Sequence, residues 1–252
     1  MKKCFWPILI FCVVIVVWYW TTANGYVSPI LFPSPLDTLM FLIISLKDRL
    51  LADALLVTLI RLFIGYFLGL VLGLILGFLL SQNQTIRGTL GVAALGFQTL
   101  PSVCWAPLAI LWFGQTEYAM YFVVVMGSMW AIAIAAENAI RAVSSLYIRA
   151  ARVMGSRGIH TWRTVTFPAA LPQILSGAKL GWAFAWRSLM AAEVYVTIID
   201  NMGLGQLLHF GRELNAMDQV LGVIVVIIAV GVITDHLIFK PIEHYLRRTY
   251  GV

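Results

Sequence analysis

The chain has 252 residues, 61% of them hydrophobic and only 11% charged, whereas a soluble globular domain carries roughly a quarter charged residues. No water-soluble core could hide that much apolar surface, which excludes a soluble enzyme or binding domain. The net charge of +6 comes from basic residues that punctuate apolar runs instead of clustering, which argues against nucleic acid as a partner.

A helix needs about 20 residues, at about 1.5 Å each, to cross a bilayer. The apolar runs predict an all-α membrane protein with six transmembrane helices, at 5–22, 54–80, 89–112, 118–138, 169–192 and 219–239. The first run follows Met1-Lys2-Lys3 and admits a signal-peptide reading with a weak cleavage site at Thr21-Thr22-Ala23. Its length and the aromatic belt Trp18, Tyr19 and Trp20 favour an uncleaved N-terminal transmembrane helix, 1–22. Segment 23–53 opens with Pro29, Pro33 and Pro35 and continues as an amphipathic interfacial helix around 36–51, expected on the outer, periplasmic surface.

The second span places Gly65, Gly69, Gly73 and Gly77 on nearly one helix face. Small-residue ridges let helices approach closely in lipid, so a packing seam is expected there in preference to a direct solute role. The third span holds Pro101 and Pro107, each lacking a backbone donor. A broken helix in a membrane sits against protein or a cavity, which makes both prolines candidates for the wall of a pathway.

Cys4, Cys12 and Cys104 lie in apolar segments without metal-like spacing and are expected to be inert. His160, His209, His236 and His244 form no ligand set by spacing; Asp235-His236 and Glu243-His244 read as interfacial polar residues rather than a metal site.

With both ends cytoplasmic, inner segments would hold eleven basic residues and outer segments three, Lys47, Arg49 and Arg212. Positive charge favours the inner side, and this asymmetry sets the expected topology. The organisation is then a core over 54–240, an inner loop at 141–168 and a cytoplasmic tail at 241–252. Within the loop, residues 146–154 favour a short helix with Tyr147, Ala150, Ala151 and Met154 along one side, and Gly155 can end it in a left-handed conformation. A turn and a second helix follow, and Pro168 suits the first turn of the fifth span, where its missing N–H costs nothing. A knob so joined to a membrane helix can pass force from a cytoplasmic partner.

This loop resembles the EAA signature of permease subunits of bacterial ABC importers. Ala150, Ala151, Gly155, Val165 and Pro168 stand at its positions with matching spacing, while Arg149 replaces the family glutamate and Phe167 the leucine before the proline. Further segments resemble the nitrate, sulfonate, taurine and bicarbonate branch over nearly the whole chain: Leu31 to Pro35, Arg61 to Gly65, Pro101 to Gly114, Pro168 to Gly177, Lys179, Trp186, Ala192-Glu193, and Gly203 to Gly205. The resemblance implies an ABC importer type I (MetI-like) permease core of five helices plus one N-terminal helix, in the bacterial inner (plasma) membrane with both termini cytoplasmic. Arg149, Ala150, Ala151, Gly155, Ser156, Arg157, Val165 and Pro168 would meet the ATPase. It further implies two cytoplasmic ABC ATPase subunits that hold ATP and Mg, a second permease subunit forming a homodimer, and a separate solute-binding protein. No cofactor is expected on this chain, and no Gly-x-x-x-x-Gly-Lys-Ser/Thr is present to cradle nucleotide phosphates. The expected solute is small, an anion such as nitrate, taurine or another sulfonate, or bicarbonate.

Lys179 lies eleven residues past Pro168, roughly 16 Å along the helix and near the midplane. A lysine there either pairs with a carbonyl or acid or lines a cavity. Lys179, Trp182, Trp186 and Glu193 share one helical face as candidate pathway residues, whereas Arg187 is expected to snorkel toward the outer edge. Glu193 with Gly203 and Gly205 reads either as a solute handover point or as a helix end and turn. Two other functions compete. An ion- or proton-driven secondary transporter would show inverted halves with paired broken spans and buried acids. A membrane enzyme would need a convergent nucleophile, base and metal set, which the sequence lacks.

Overall fold

The computed structural model describes residues 2–28, 30–198 and 201–250, which form helices joined by turns, with no strand among them. In chain order the helices are α1 (Lys2–Ala23), α2 (Pro35–Lys47), α3 (Leu50–Gln82), α4 (Gln84–Thr99), α5 (Ser102–Phe113), α6 (Glu117–Arg141), α7 (Ser145–Val153), α8 (Phe167–Tyr195), α9 (Leu204–Glu213), α10 (Met217–Thr234) and α11 (Lys240–Tyr250). A π-helical turn, Asp235–Phe239, joins α10 to α11.

Three stretches are long and apolar enough to cross a bilayer, Leu50–Gln82, Glu117–Arg141 and Met217–Leu246, with α4 and α5 together as a fourth. Cys12–Ala23 is apolar but shorter, and α8, at 29 residues, carries Lys179, Arg187 and Glu193 and falls outside the set. The six expected spans therefore correspond to helices, but the count of six is not reached on length and hydropathy.

The expected span at 89–112 is not one rod. α4 and α5 meet at 101°. Leu100 is extended at φ −70°, ψ 124°, and Pro101 follows it. A residue before proline is pushed out of the α region, and the proline has no N–H to continue the ladder. Pro107 behaves differently, since it sits in the first α-turn of α5, where no donor is missed.

The chain divides into two compact units, 1–58 with 199–230 and 59–198 with 231–252. In the first, Ser34 caps α2: its hydroxyl accepts from the Asp37 N–H at 3.2 Å, and the Asp37 carboxylate accepts from the Ser34 N–H at 3.0 Å. The Trp18 indole donates to the Pro33 carbonyl at 3.0 Å, tying the end of α1 to the start of α2. Gly222 in α10 makes room for the Phe41 ring of α2, which a Cβ would meet at 2.6 Å. α9 begins at Gly203, whose N–H donates to Gln206 Oε1 at 2.9 Å, while the Leu204 N–H donates to Thr58 Oγ1 at 2.8 Å.

The Ser34 hydrogen bonds hold the exposed Asp37 carboxyl below its ordinary value of 3.8. A depressed pKa means the cap contributes stability above the ordinary carboxylate value and loses it as pH falls through the lower, folded value. Protection factors of the α2 amides, corrected for the intrinsic pH dependence of exchange, are therefore expected to fall on acidification below about pH 4, and much less so in Asp37→Asn. An equal fall in both would refute the cap's role.

In the second unit α6 is the axis. One side faces the glycine ridge of α3: a Cβ on Gly65 would lie 2.7 Å from Val124, one on Gly69 would strike the Ser128 hydroxyl, and one on Gly73 would lie 2.8 Å from Ile132 and the Met129 carbonyl. Gly77 completes the row, 2.5 Å from the Ala133 carbonyl. The adjoining face meets α8, where a Cβ on Gly177 would meet Ala135 and one on Gly181 would meet Ile132, the residue that also faces Gly73. Glycine at every fourth residue removes the side chains that would hold the backbones apart. Between them lies a core of Leu62, Met120, Val123, Val124, Ala185 and Leu189.

Candidate translocation and coupling sites

Besides the pairing of Glu137 with Arg87 at 2.9 Å and Arg141 at 3.4 Å, two charged clusters and a cavity in the second unit involve α8. The first cluster joins three helices at the Glu117 end of α6. Arg61 of α3 donates from Nε and Nη2 to both oxygens of Glu117 of α6, each at 2.7 Å, and from Nη1 to Glu193 Oε1 of α8 at 3.0 Å. The Arg61 side chain is 2% exposed and that of Glu193 0%. A guanidinium presents a planar fork that matches a carboxylate bidentately, and burial requires such pairing. Glu193 is thus part of a helix clamp, not of an open wall.

The second cluster surrounds Lys179, whose Nζ lies 2.6 Å from Asp235 and 3.2 Å from Glu243. Asp235 also faces Lys240 at 3.8 Å. Of the two expectations for Lys179, the structure shows pairing, with two lysines balanced by two acids. Trp182, one turn away, is buried among Phe63, Tyr66 and Phe239 at ring distances of 5.3, 5.1 and 6.0 Å. The Tyr66 hydroxyl donates to the Ala178 carbonyl at 2.9 Å. Trp186 is half-buried against the same core.

The cavity, of about 270 Å³, opens where the backbone bends between α4 and α5. Pro101 lines it with Gln98, Ser102, Gly127, Phe184 and Arg187; Pro107 does not. Among the described residues no three His, Cys, Asp or Glu side chains gather as a metal site.

The loop at 145–168 is compact. α7 ends in a paired turn: the Gly155 N–H donates to the Arg152 carbonyl at 3.1 Å and the Ser156 N–H to the Ala151 carbonyl at 2.9 Å. This is the Schellman arrangement, which satisfies carbonyls left open at a helix end and calls for a left-handed residue; Gly155 has φ +87°. Gly158, at φ +56°, is a second positive-φ glycine and precedes the next helical turn. A single turn, Ile159–Thr161, and a π-helical stretch, Trp162–Thr166, then run into α8, with Pro168 in its first turn. The Ser156 and Thr161 hydroxyls hydrogen-bond across the turn at 2.9 Å. Trp162 packs edge-on against Phe78 of α3 and at a tilt against Phe167 of α8, each at 5.3 Å. Ala151 is buried, Ala150, Arg149 and Arg157 are exposed, and Val165 and Pro168 are half-buried. Val153 and Met154 are 89% and 85% exposed. Arg149 reaches back to the Ser145 hydroxyl at 3.3 Å.

Sequence reasoning missed Arg61, Glu117, Asp235 and Glu243 as partners and treated Arg187 as an edge residue. The available signal was that each is an ionisable group within or beside an apolar run, which makes it a site by default.

Residues 69–239 match the family model of the binding-protein-dependent transport system inner membrane component. The chain is similar to the taurine transport system permease protein of Escherichia coli, 27% identical over 220 residues that cover 85% of this chain and 79% of that one. It is also similar to the bicarbonate transport system permease protein of Synechococcus elongatus, 25% identical over 160 residues, 64% of this chain and 57% of that one. Among solved structures, a chain of the inward-facing MetNI methionine ABC transporter superposes with a TM-score of 0.67 at 23% identity, covering 78% of this chain and 96% of that chain.

Proposed function

Since the chain belongs to the family of binding-protein-dependent transport system inner membrane components, we propose that it is the permease subunit of an ATP-driven importer that moves a small anion across the bacterial inner membrane. The observation that carries this reading is the 145–168 assembly: a short helix with exposed Val153 and Met154, locked by a left-handed glycine turn and continuous through a π-helical stretch with α8. Between Ser145 and Pro168 the loop holds Arg149, Arg152, Arg157 and Arg163 and no acidic residue. A basic, apolar-tipped knob fits an acidic groove on a cytoplasmic ATPase, and an ATPase dimer that closes on two such knobs would bias the packing of the spans between inward and outward access.

In this reading the chain performs no bond chemistry, and ATP and Mg reside on the ATPase pair. A second permease copy completes the pathway, a separate solute-binding protein delivers the solute, and both termini face the cytoplasm. The taurine and bicarbonate permeases among its relatives support a small oxyanion as solute.

Gly155→Val tests the coupling. Nothing lies within 4 Å of a Cβ at this position, so the substitution acts through backbone conformation alone, at about 1–2 kcal/mol for a left-handed β-branched residue. Membrane insertion should be retained while co-purification with the ATPase weakens roughly tenfold; Gly155→Asn, which tolerates that conformation, should be milder. Wild-type docking by Gly155→Val would remove the turn from the mechanism.

Buried Glu193 favours a second reading, a proton-driven transporter, because such carriers need an enclosed acid. Transport in vesicles that depends on a proton gradient and not on a co-purified ATPase would select it.

A further inference from the structure

We propose that Arg187, at the cavity where the α4–α5 backbone breaks, is the anion-selecting group of the translocation pathway, holding the oxyanion head of a small solute whose short apolar part lies against the cavity wall. This rests on the importer reading and names the residue and ligand chemistry that reading leaves open.

Charge accounting isolates Arg187. Three basic residues lie within α3 and α8, and two are spoken for: Arg61 has two carboxylates and Lys179 has two. Arg187 donates from Nε to the Ala183 carbonyl of its own helix at 3.0 Å and rests its guanidinium 4.6 Å from the Phe184 ring centroid. No acidic side chain of the described residues lies within ion-pair distance of it. Arg187 is exposed, and an ionisable group in a membrane span with no acid beside it is a functional-site candidate by default.

The position suits that role. Gly127, in the same cavity wall, is ten residues from Glu117 at one end of α6 and fourteen from Arg141 at the other, roughly 15 and 21 Å along the axis. The cavity therefore lies near mid-depth, where a passing ion most needs a counter-charge. Irregular backbone at that depth is tolerated where it lines a cavity.

Indole donors without an acceptor among the described residues lie next to the cavity wall. Three carbonyls at the bend already accept a hydrogen bond, Gly96 from the Thr99 hydroxyl, Phe97 from the Leu100 N–H and Pro101 from the Cys104 N–H. Phe97 packs on Trp105 and Trp130 at 5.9 and 4.8 Å, and the indole N–H groups of both are enclosed without an acceptor among the described residues. Leu100, Val103, Met126 and Phe184 supply an apolar wall. The fork of Arg187 matches the planar edge of a sulfonate or carboxylate-like group, which an ammonium does not.

The test uses the permease assembled with its ATPase and solute-binding protein in phosphatidylcholine liposomes, with or without phosphatidylglycerol. ATP-driven uptake of taurine, ethanesulfonate, bicarbonate and, as a neutral control, urea is measured for wild type, Arg187→Gln and Arg187→Lys. Loss of a charged hydrogen-bond pair should lower uptake of the accepted anion by roughly tenfold to a hundredfold in Arg187→Gln. Arg187→Lys should fall between, in both lipid mixtures, and it keeps the test decisive should Arg187→Gln fail to assemble. Uptake by Arg187→Gln within twofold of wild type would overturn the proposal. So would a defect seen only with phosphatidylglycerol, which would make Arg187 a lipid-headgroup contact, or wild-type uptake confined to urea. Failure of the wild-type chain to bind any ATPase would be seen before uptake is measured; it sinks the importer reading itself and this inference with it.

Discussion

Arg61→Ala is expected to lower stability by about 3–5 kcal/mol, the cost of withdrawing one partner from a buried ion pair. The substitution removes the guanidinium from two carboxylates at once, one of them fully enclosed. For a chain of this size the loss corresponds to a melting shift of order 10 °C, measurable on the detergent-purified protein. Glu193→Gln keeps the shape and one hydrogen bond and should cost much less. The double variant Arg61→Met/Glu193→Met removes both charges and should recover part of the loss, because an apolar pair of similar volume needs no desolvation compensation. A purely additive cycle built from Arg61→Met, Glu193→Met and their double variant would show that the two side chains are not energetically coupled.

The second large effect is expected at the α3–α6 seam. Gly77→Leu brings a Cβ to 2.5 Å from the Ala133 carbonyl and 2.7 Å from Ala136. Backbone cannot give way as a side-chain tip can, so the helices must separate and lose contact along the row. Overpacking of this kind costs about 1–3 kcal/mol, with a further loss from each glycine contact that opens. Gly231→Ala is the matched control. Nothing lies within 4 Å of a Cβ at Gly231, and adding a methyl to an open helical glycine should be neutral or stabilising by about 0.5–1 kcal/mol. Equal melting temperatures for Gly77→Leu and wild type would mean the ridge does not set the helix separation.

The residues differ sharply in how much of this was readable in advance. The glycine period is local information, so the existence and face of the seam on α3 were legible, but that α6 receives it depends on tertiary placement that no period encodes. Gly155 was legible because a short amphipathic run ending in glycine has few other conformations. The π-helical stretch after it left no trace, since Trp162 to Thr166 has no breaker. Pro101 and Pro107 looked alike in sequence and diverged in structure, one at an extended break and the other inside a first turn, because the outcome depends on where each helix starts. The charged clusters were least legible. Arg61 meets Glu193 across 132 residues, and Lys179 meets acids that an interfacial reading places at the membrane edge. Arg187 and Lys179 were assigned by depth along one helix, and depth says nothing about which of them finds a carboxylate.

Close backbone approach of α6 to both α3 and α8 has a mechanical consequence. Where no side chain intervenes, there is nothing compressible to absorb sliding, so α3 beyond Thr58, α6 and α8 are geared into a single stiff slab. Any stroke that alternates access must then swing the slab whole, with the rotation taken up at joints such as the elbow before Pro101 and the left-handed glycines 114, 155 and 158.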